Sequence, residues 1–342
     1  MPAKFRVGLI GLGHVGGVVA RRLTEGPSIS EAAGRPVVLV GVAVARPQGR
    51  TAPAPLVSAD ALMADKSLDA LIEVAGGLEP ARSLLERGLS RGLQVITANK
   101  QVIAAHGPAL ARLGRLRFEA SVASAVPIVE TLADDLAADT ITGISGILNG
   151  TTNMLLEAMA GGREFGAALA EAQAAGLAEA DPSADVDAHD PAAKLAILVM
   201  LAFHRRIDVA AIPRVGIRGI TSQELSAARG RGRVIKLIAA ARAVASGIEA
   251  DVRPRSLPTA EPLSRVGGAL NGIRVDAQAA GPLFFQGAGA GPEAAASAVI
   301  ADLIRAARDA PAMAGAALAR LAGAPLTPVG SWPPGEPFPS VP

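Results

Sequence analysis

Apolar residues open the chain in a nearly unbroken run, Phe5 to Gly11 (FRVGLIG), and then recur at helical spacing from Val15 to Leu23. A short run without polar alternation marks a strand covered on both faces, and the change of period that follows marks the helix that covers it. The same signals return along the chain. Val37 to Val44 and Leu68 to Val74 are further apolar runs, the latter halted by Gly76-Gly77, after which Glu79-Pro80-Ala81 opens a helix reaching about Arg91. Gln94 to Thr97 is a fourth short strand and Gln101 to Leu113 a helix. Strands alternating with helices at this spacing predict an α/β domain over residues 1–136, built on a Rossmann-type, doubly wound parallel sheet.

From about Ala137 the pattern changes. Ile141 to Leu148 alternates as a strand, while Asn153 to Ala160, Phe165 to Ala175 and Pro191 to Phe203 are helical. Strand-like stretches follow around 212–220, 247–256, 270–278 and 283–287, and Pro292 to Leu321 reads as one alanine-rich helix. Residues 137–291 are therefore predicted to form an α+β domain with a mixed sheet, serving substrate binding and dimerisation, and the helix at about 292–322 to return to the first domain. The tail, residues 325–342, ends in SWPPGEPFPSVP and is predicted to be disordered.

Composition narrows the function. Half of the 342 residues are apolar but only 2% are aromatic, so the cores are aliphatic, and the length suits two domains. A net charge of +2 with dispersed arginines and almost no stacking aromatics argues against a nucleic-acid partner. Without cysteine there is no disulfide framework, thiolate metal site or thiol nucleophile. The longest apolar stretch, Leu195 to Phe203, falls well short of the roughly 20 residues a bilayer needs. With no signal peptide at the start, the expectation is a cytoplasmic protein without a membrane partner.

Positive charge is carried by 28 arginines and only five lysines, Lys4, Lys66, Lys100, Lys194 and Lys236. Arginine stays protonated at any usable pH, so a site that must give up a proton cannot accept it in place of lysine. Lys100 ends the motif TANK and Lys194 ends HDPAAK, which makes these two the leading candidates for chemistry. The turn Gly11-Leu12-Gly13-His14-Val15-Gly16 fits G-x-G-x-x-G between the first strand and the first helix, where backbone N–H groups at a helix N-terminus receive a pyrophosphate. At the end of the second strand stand Arg46 and Arg50, with no carboxylate for a ribose hydroxyl, so NADP is expected in preference to NAD.

Glu179, Asp181, Asp185, Asp187 and Asp190 form an acidic cluster. A calcium loop starting at Asp181 would need glycine sixth and glutamate twelfth, where Val186 and Ala192 stand. Asp190 before Pro191 fits a helix N-cap, and it also stands one turn before Lys194, either as a plain surface pair or with both groups facing one pocket.

These motifs together resemble homoserine dehydrogenase. The family signature is matched from Gly176 to Lys194 with one fixed position missed, Ala188, where the family has glycine. GLGHVGG at 11–17, VAGGLEPAR at 74–82, VITANK at 95–100, FEASVASAVPIVETL at 118–132, ILNGTTN at 147–153 and GAGAGPEAAASAVIADL at 287–303 resemble it in the same order. The resemblance implies reversible NAD(P)-dependent reduction of L-aspartate 4-semialdehyde to L-homoserine, on the route to threonine and methionine, by a form without kinase or amino-acid-sensing domains. It implies Lys194 as proton donor, assisted by Asp190 and Lys100, with Glu179, Asp185, Asp190, Gly150 and Thr151 at the substrate. It places Gly76, Lys100, Gly176, Gly289 and Gly291 at the cofactor, and Glu119, Val122, Ser124 and Val126 around a monovalent cation, Na+ or K+, held largely by carbonyls. It also implies a homodimer or dimer of dimers. Ser124, Ala125, Ala294 and Ala295 depart from the family's pattern. Another NAD(P)-dependent dehydrogenase of amino-acid metabolism and a non-catalytic cofactor-binding paralogue are the competing readings, which turnover with homoserine separates.

Overall fold

The structure is a computed structural model that describes residues 2–332. Twelve strands occur among them. They are β1 (Phe5–Ile10), β2 (Val37–Ala43), β3 (Leu56–Val57), β4 (Ala70–Glu73), β5 (Gln94–Thr97), β6 (Leu116–Arg117), β7 (Ile141–Ile147), β8 (Arg233–Val244), β9 (Gly247–Pro258), β10 (Leu270–Ala277), β11 (Gly281–Ala288) and β12 (Val329–Gly330). The described chain divides into two compact units, one of residues 2–135 with Gly291–Ala324, the other of Leu136–Ala290 with residues 325–332.

In the first unit six strands pair in the order β3-β2-β1-β4-β5-β6, every ladder parallel. The order turns back between β1 and β4, and a doubly wound sheet leaves a crevice beyond the strand ends at that point. Strand β4 is buried at all four positions, as its apolar sequence requires. The helix Pro292–Ala307 returns to this unit and buries Ala296, Val299, Ile300 and Leu303 against Val7, Leu9, Val19 and Ile72. Its alanines allow that close approach.

In the second unit the order is β11-β10-β7-β8-β9-β12, antiparallel throughout except for the parallel pair β9 and β12. The helix His189–Phe203 belongs to this unit, and all of its residues from Asp190 onward are buried. A helix apolar around its whole circumference has no solvent face, which is what the run Leu195 to Phe203 encodes. No helix among the described residues is long and apolar enough to cross a membrane.

Three expectations need correction, and one strand was not foreseen. Residues 212–220 form no strand; only an isolated bridge joins Arg214 to Val252. Strand β8 occupies Arg233–Val244 instead, its alanine-rich half (IAAARAV) being helical by propensity and extended only because β7 and β9 flank it. The alanine-rich segment is two helices, Pro292–Ala307 and Met313–Ala319, broken where Asp309 turns left-handed (φ 58) ahead of Pro311. Residues 325–332 of the expected disordered tail are ordered: β12 pairs with β9, and Trp332 is buried with the Arg242 guanidinium 4.4 Å from its ring centre. The rest of that expectation, residues 333–342, lies outside the described residues.

The helix His189–Phe203 ends on His204, an exposed residue with φ 53 and ψ 41, where glycine is the usual occupant. Left-handed backbone costs an L-residue about 1–2 kcal/mol, and glycine gives back about 0.5–1 kcal/mol through its freer unfolded chain. His204→Gly should therefore stabilise the protein by about 0.5–1 kcal/mol, read as a higher urea midpoint at unchanged slope. A lower midpoint would show that the imidazole makes a stabilising contact that outweighs the strain.

Candidate active site

The crevice after β1 is a cavity of about 680 Å³ whose lining includes Ile10, Gly11, Leu12, Gly13, Val74, Ala75 and Gly76. Glycine is obligatory at two positions. Gly11 has φ 98, and a β-carbon there would lie 2.7 Å from the Ala75 nitrogen; one on Gly16 would lie 2.1 Å from the Gly11 carbonyl oxygen. Gly13 precedes the helix His14–Thr24 with nothing within 4 Å of an added β-carbon and with no side-chain cap. The first turn of that helix carries no acidic residue. Uncapped N–H groups, a helix N-terminus and an open glycine fit a dinucleotide's pyrophosphate. His14, Val15 and Gly16 do not line the cavity, and Gly16 acts through packing.

Arg46 and Arg50 line the same cavity, which has no Asp or Glu in its wall among the described residues. Arg50 is steadied by a 2.9 Å hydrogen bond from its guanidinium to the Leu12 carbonyl. Ser58 and Ala59 also line it. These two were not foreseen, because no motif marks them.

A second unforeseen feature braces the wall. Glu73, wholly buried at the end of β4, accepts hydrogen bonds from the backbone N–H groups of Ala75 (2.8 Å) and Gly76 (3.1 Å) and from the Thr97 hydroxyl (2.6 Å). Thr97 in turn accepts from the Asn99 N–H, and the Asn99 side chain donates to the Gly77 carbonyl while capping the helix Lys100–Ala111. The glycine turn at 75–77 and the start of the Lys100 helix are thus one hydrogen-bonded piece. Lys100 is the first residue of that helix and is half-buried.

In the second unit Lys194 is buried. Its ammonium donates to the Leu148 carbonyl at 2.7 Å and to Asp190 Oδ2 at 2.8 Å, and the two side chains are only 10% and 6% exposed. An ammonium has three N–H groups, so one has no partner among the described residues and can meet a ligand. Asn149 completes the seat. Its Nδ2 donates to Asp185 Oδ1 (2.7 Å) and Asp190 Oδ2 (2.9 Å), while its Oδ1 accepts from the Thr152 N–H and caps the helix Gly150–Ala160. One amide therefore ties two carboxylates to a helix start. Gly150 is confined by the Ala269 carbonyl, which an added β-carbon would approach to 2.3 Å.

Asp190 is not the N-cap expected for its helix. The cap is Ala188, in left-handed backbone at φ 65, and Asp190 stands within the first turn with its carboxylate turned to Lys194 and Asn149. That backbone explains why glycine suits position 188. The plain surface-pair reading of Asp190 and Lys194 also fails, since both are buried.

The other expected residues are less closely drawn in. Glu179 is exposed on a loop, its backbone carbonyl accepting from Gln173, and its carboxylate stands outside the bonded cluster. Thr151 donates to the Leu177 carbonyl at 3.3 Å, tying that loop to the helix. Gly176 (φ 70) and Gly291 (φ 106) need their glycine, and neither they nor Gly289 line the 680 Å³ cavity. Around the expected cation site Ala123 and Ser124 turn left-handed at φ 52 and 43. Glu119 turns its carboxylate to the N–H groups of Val129 (2.9 Å) and Glu130 (3.0 Å), and burial pushes its pKa up. Val122 and Val126 are buried beside it in sequence.

The family model for the homoserine dehydrogenase NAD-binding domain matches residues 11–117, and the model for homoserine dehydrogenase itself matches residues 127–304. The homoserine dehydrogenase of Corynebacterium glutamicum is 41% identical over 319 residues, covering 89% of this chain and 72% of that protein. Its counterpart in Mycobacterium tuberculosis is 40% identical over 318 residues with the same coverage. The chain belongs to the homoserine dehydrogenase family.

Solved homoserine dehydrogenases share the architecture. That of Thiobacillus denitrificans superposes with a TM-score of 0.88 at 35% identity, covering 96% of this chain and 80% of that one. The S. aureus enzyme gives 0.77 at 33% identity over 89% of this chain and 76% of that one. As a homoserine dehydrogenase the protein is a nicotinamide-dependent oxidoreductase of amino-acid biosynthesis that acts on a small molecule.

The Glu73 brace yields a test. Glu73→Ala leaves two N–H groups and a hydroxyl unpaired, each costing about 1–3 kcal/mol when buried. NADPH affinity, followed by fluorescence titration, should fall about tenfold, the equivalent of about 1.4 kcal/mol. Unchanged affinity in the folded variant would show that the turn holds its shape without Glu73.

Proposed function

We propose that the protein interconverts L-aspartate 4-semialdehyde and L-homoserine with Lys194 as proton donor to the aldehyde oxygen. The carrying observation is the buried Lys194 ammonium, fixed by the Leu148 carbonyl and Asp190 with one N–H to spare. In the reducing direction the aldehyde carbon gains a hydride and its oxygen gains a proton. The nicotinamide, when bound, supplies the hydride. Negative charge then grows on the oxygen, where a fixed ammonium stabilises it and hands over a proton. Asp190 keeps Lys194 in place and, with Glu179 and Asp185, offers carboxylates to the substrate's own ammonium; Gly150 and Thr151 complete the substrate site, and Lys100 assists from the TANK motif.

NADP is the preferred cofactor in this reading, and NAD the lesser one. Arg46 and Arg50 in a cavity wall free of carboxylates suit a 2′-phosphate and offer nothing to a bare ribose hydroxyl. Gly11, Leu12, Gly13 and Gly76 hold the dinucleotide from the cavity wall, Gly16 keeps that turn tight by packing behind it, and His14 and Val15 at the helix start and Gly176, Gly289 and Gly291 add contacts outside that lining. Carbonyls of Glu119, Val122, Ser124 and Val126 hold Na+ or K+. The enzyme works in the cytoplasm as a homodimer or dimer of dimers.

Removing the ammonium with Lys194→Ala should cut turnover by about 10²–10⁴-fold while NADPH binding stays near normal. Normal turnover in that variant would reject the assigned role. For the cofactor, Arg46→Asp should lower the ratio of kcat/KM with NADPH to kcat/KM with NADH, and an unmoved ratio would refute the 2′-phosphate reading.

A further inference from the structure

Asn271, on β10, is wholly buried, and neither its amide nitrogen nor its amide oxygen has a hydrogen-bond partner among the described residues. Leaving a buried polar group unpaired costs about 1–3 kcal/mol, a penalty an apolar side chain of similar size escapes. Nearby buried amides are well used. Asn149 holds Asp185, Asp190 and Thr152, and Asn153 holds the Val266 and Gly268 carbonyls and Lys236. Folding alone gives no reason for asparagine at 271, and such exceptions gather where a protein binds or reacts.

The surroundings say what Asn271 serves. Gly272 stands opposite Ile147 in the antiparallel ladder with β7, so Asn271 lies at the ladder's end, where β7 gives way to Leu148, whose carbonyl holds Lys194. On the other edge of β10, Asn271 stands opposite Gly287. A β-carbon added to Gly289 would fall 1.9 Å from Asn271 Cγ, 2.0 Å from Oδ1 and 2.4 Å from Nδ2. The whole amide is therefore pressed against the main chain of Gly289. Position 272 faces elsewhere, towards Val266, Phe284 and Leu263.

We propose that Asn271 is a positioning residue: its amide seats the glycine segment 287–291 and hydrogen-bonds that segment's main chain in the cofactor-bound enzyme. This rests on the reading above that Gly289 and Gly291 belong to the cofactor site. Glycine at 287, 289 and 291 leaves few side chains to fix the segment's path, so the path must be set from beneath. A carboxamide presents one donor and one acceptor side by side, as a peptide group does, and can engage backbone where a hydrocarbon cannot.

Asn271→Leu and Asn271→Ala test this, the alanine avoiding any crowding of Gly289, with thermal unfolding, NADPH titration by fluorescence and steady-state kinetics on each. Expected is a melting temperature at or above wild type in at least one variant, a tenfold or larger rise in Kd and KM for NADPH, on the order of 1.4 kcal/mol, and a smaller change in kcat. Unchanged NADPH affinity in whichever variant folds overturns the proposal, as does a lowered melting temperature in both with normal affinity of the folded fraction. The titration needs no turnover, so failure of the wild type to reduce aspartate semialdehyde would sink the substrate reading and leave this test standing.

Discussion

In the proposed reaction, one buried ammonium and the groups that hold it govern the chemistry. Taking Lys194 and Asp190 out of water costs several kcal/mol per ion, and the pair persists because each charge is met by hydrogen bonds as well as by its opposite. The Leu148 carbonyl takes one N–H of Lys194, and Asn149 donates to the same Asp190 oxygen that receives another. Lys194 is thus confined by the residue that follows β7, a helix start and its own helix, and it has no freedom to search for its substrate. In its proposed role as proton donor it would give up little entropy when the substrate arrives.

The backbone around these groups is as constrained as the side chains. Gly11, Gly16, Gly150 and Gly289 each have main chain or a buried amide where a β-carbon would go, so helix starts and turns approach their neighbours to within hydrogen-bonding range. Elsewhere the chain accepts strain that glycine would relieve. Ala123, Ser124 and Ala188 are left-handed without being glycine, at about 1–2 kcal/mol each, and they fall in the stretches where the family pattern has or tends to have glycine. The fold tolerates these costs because buried aliphatic cores in both units far outweigh them.

Much of this was legible in the sequence, for reasons that can be named. The parallel sheet announced itself because strands buried on both faces are unbroken apolar runs, and Lys194 because lysine is rare in an arginine-rich chain. Strand β8 was hidden because alanine is a helix former, and pairing with β7 and β9 overrides that preference. The ordered segment up to Trp332 was hidden by a proline bias that says nothing about a buried indole. Asn149 and Glu73 were missed because their partners, Asp190 and Thr97, lie 41 and 24 positions away. Local spacing carries no trace of such bonds, nor of an amide left unpaired.

A crystal structure with L-homoserine and the oxidised cofactor would test the central assignment most directly. Lys194 Nζ should lie within about 3 Å of the homoserine hydroxyl oxygen, still bonded to Asp190. A hydroxyl resting on a different proton donor, with Nζ making no contact to it, would contradict it.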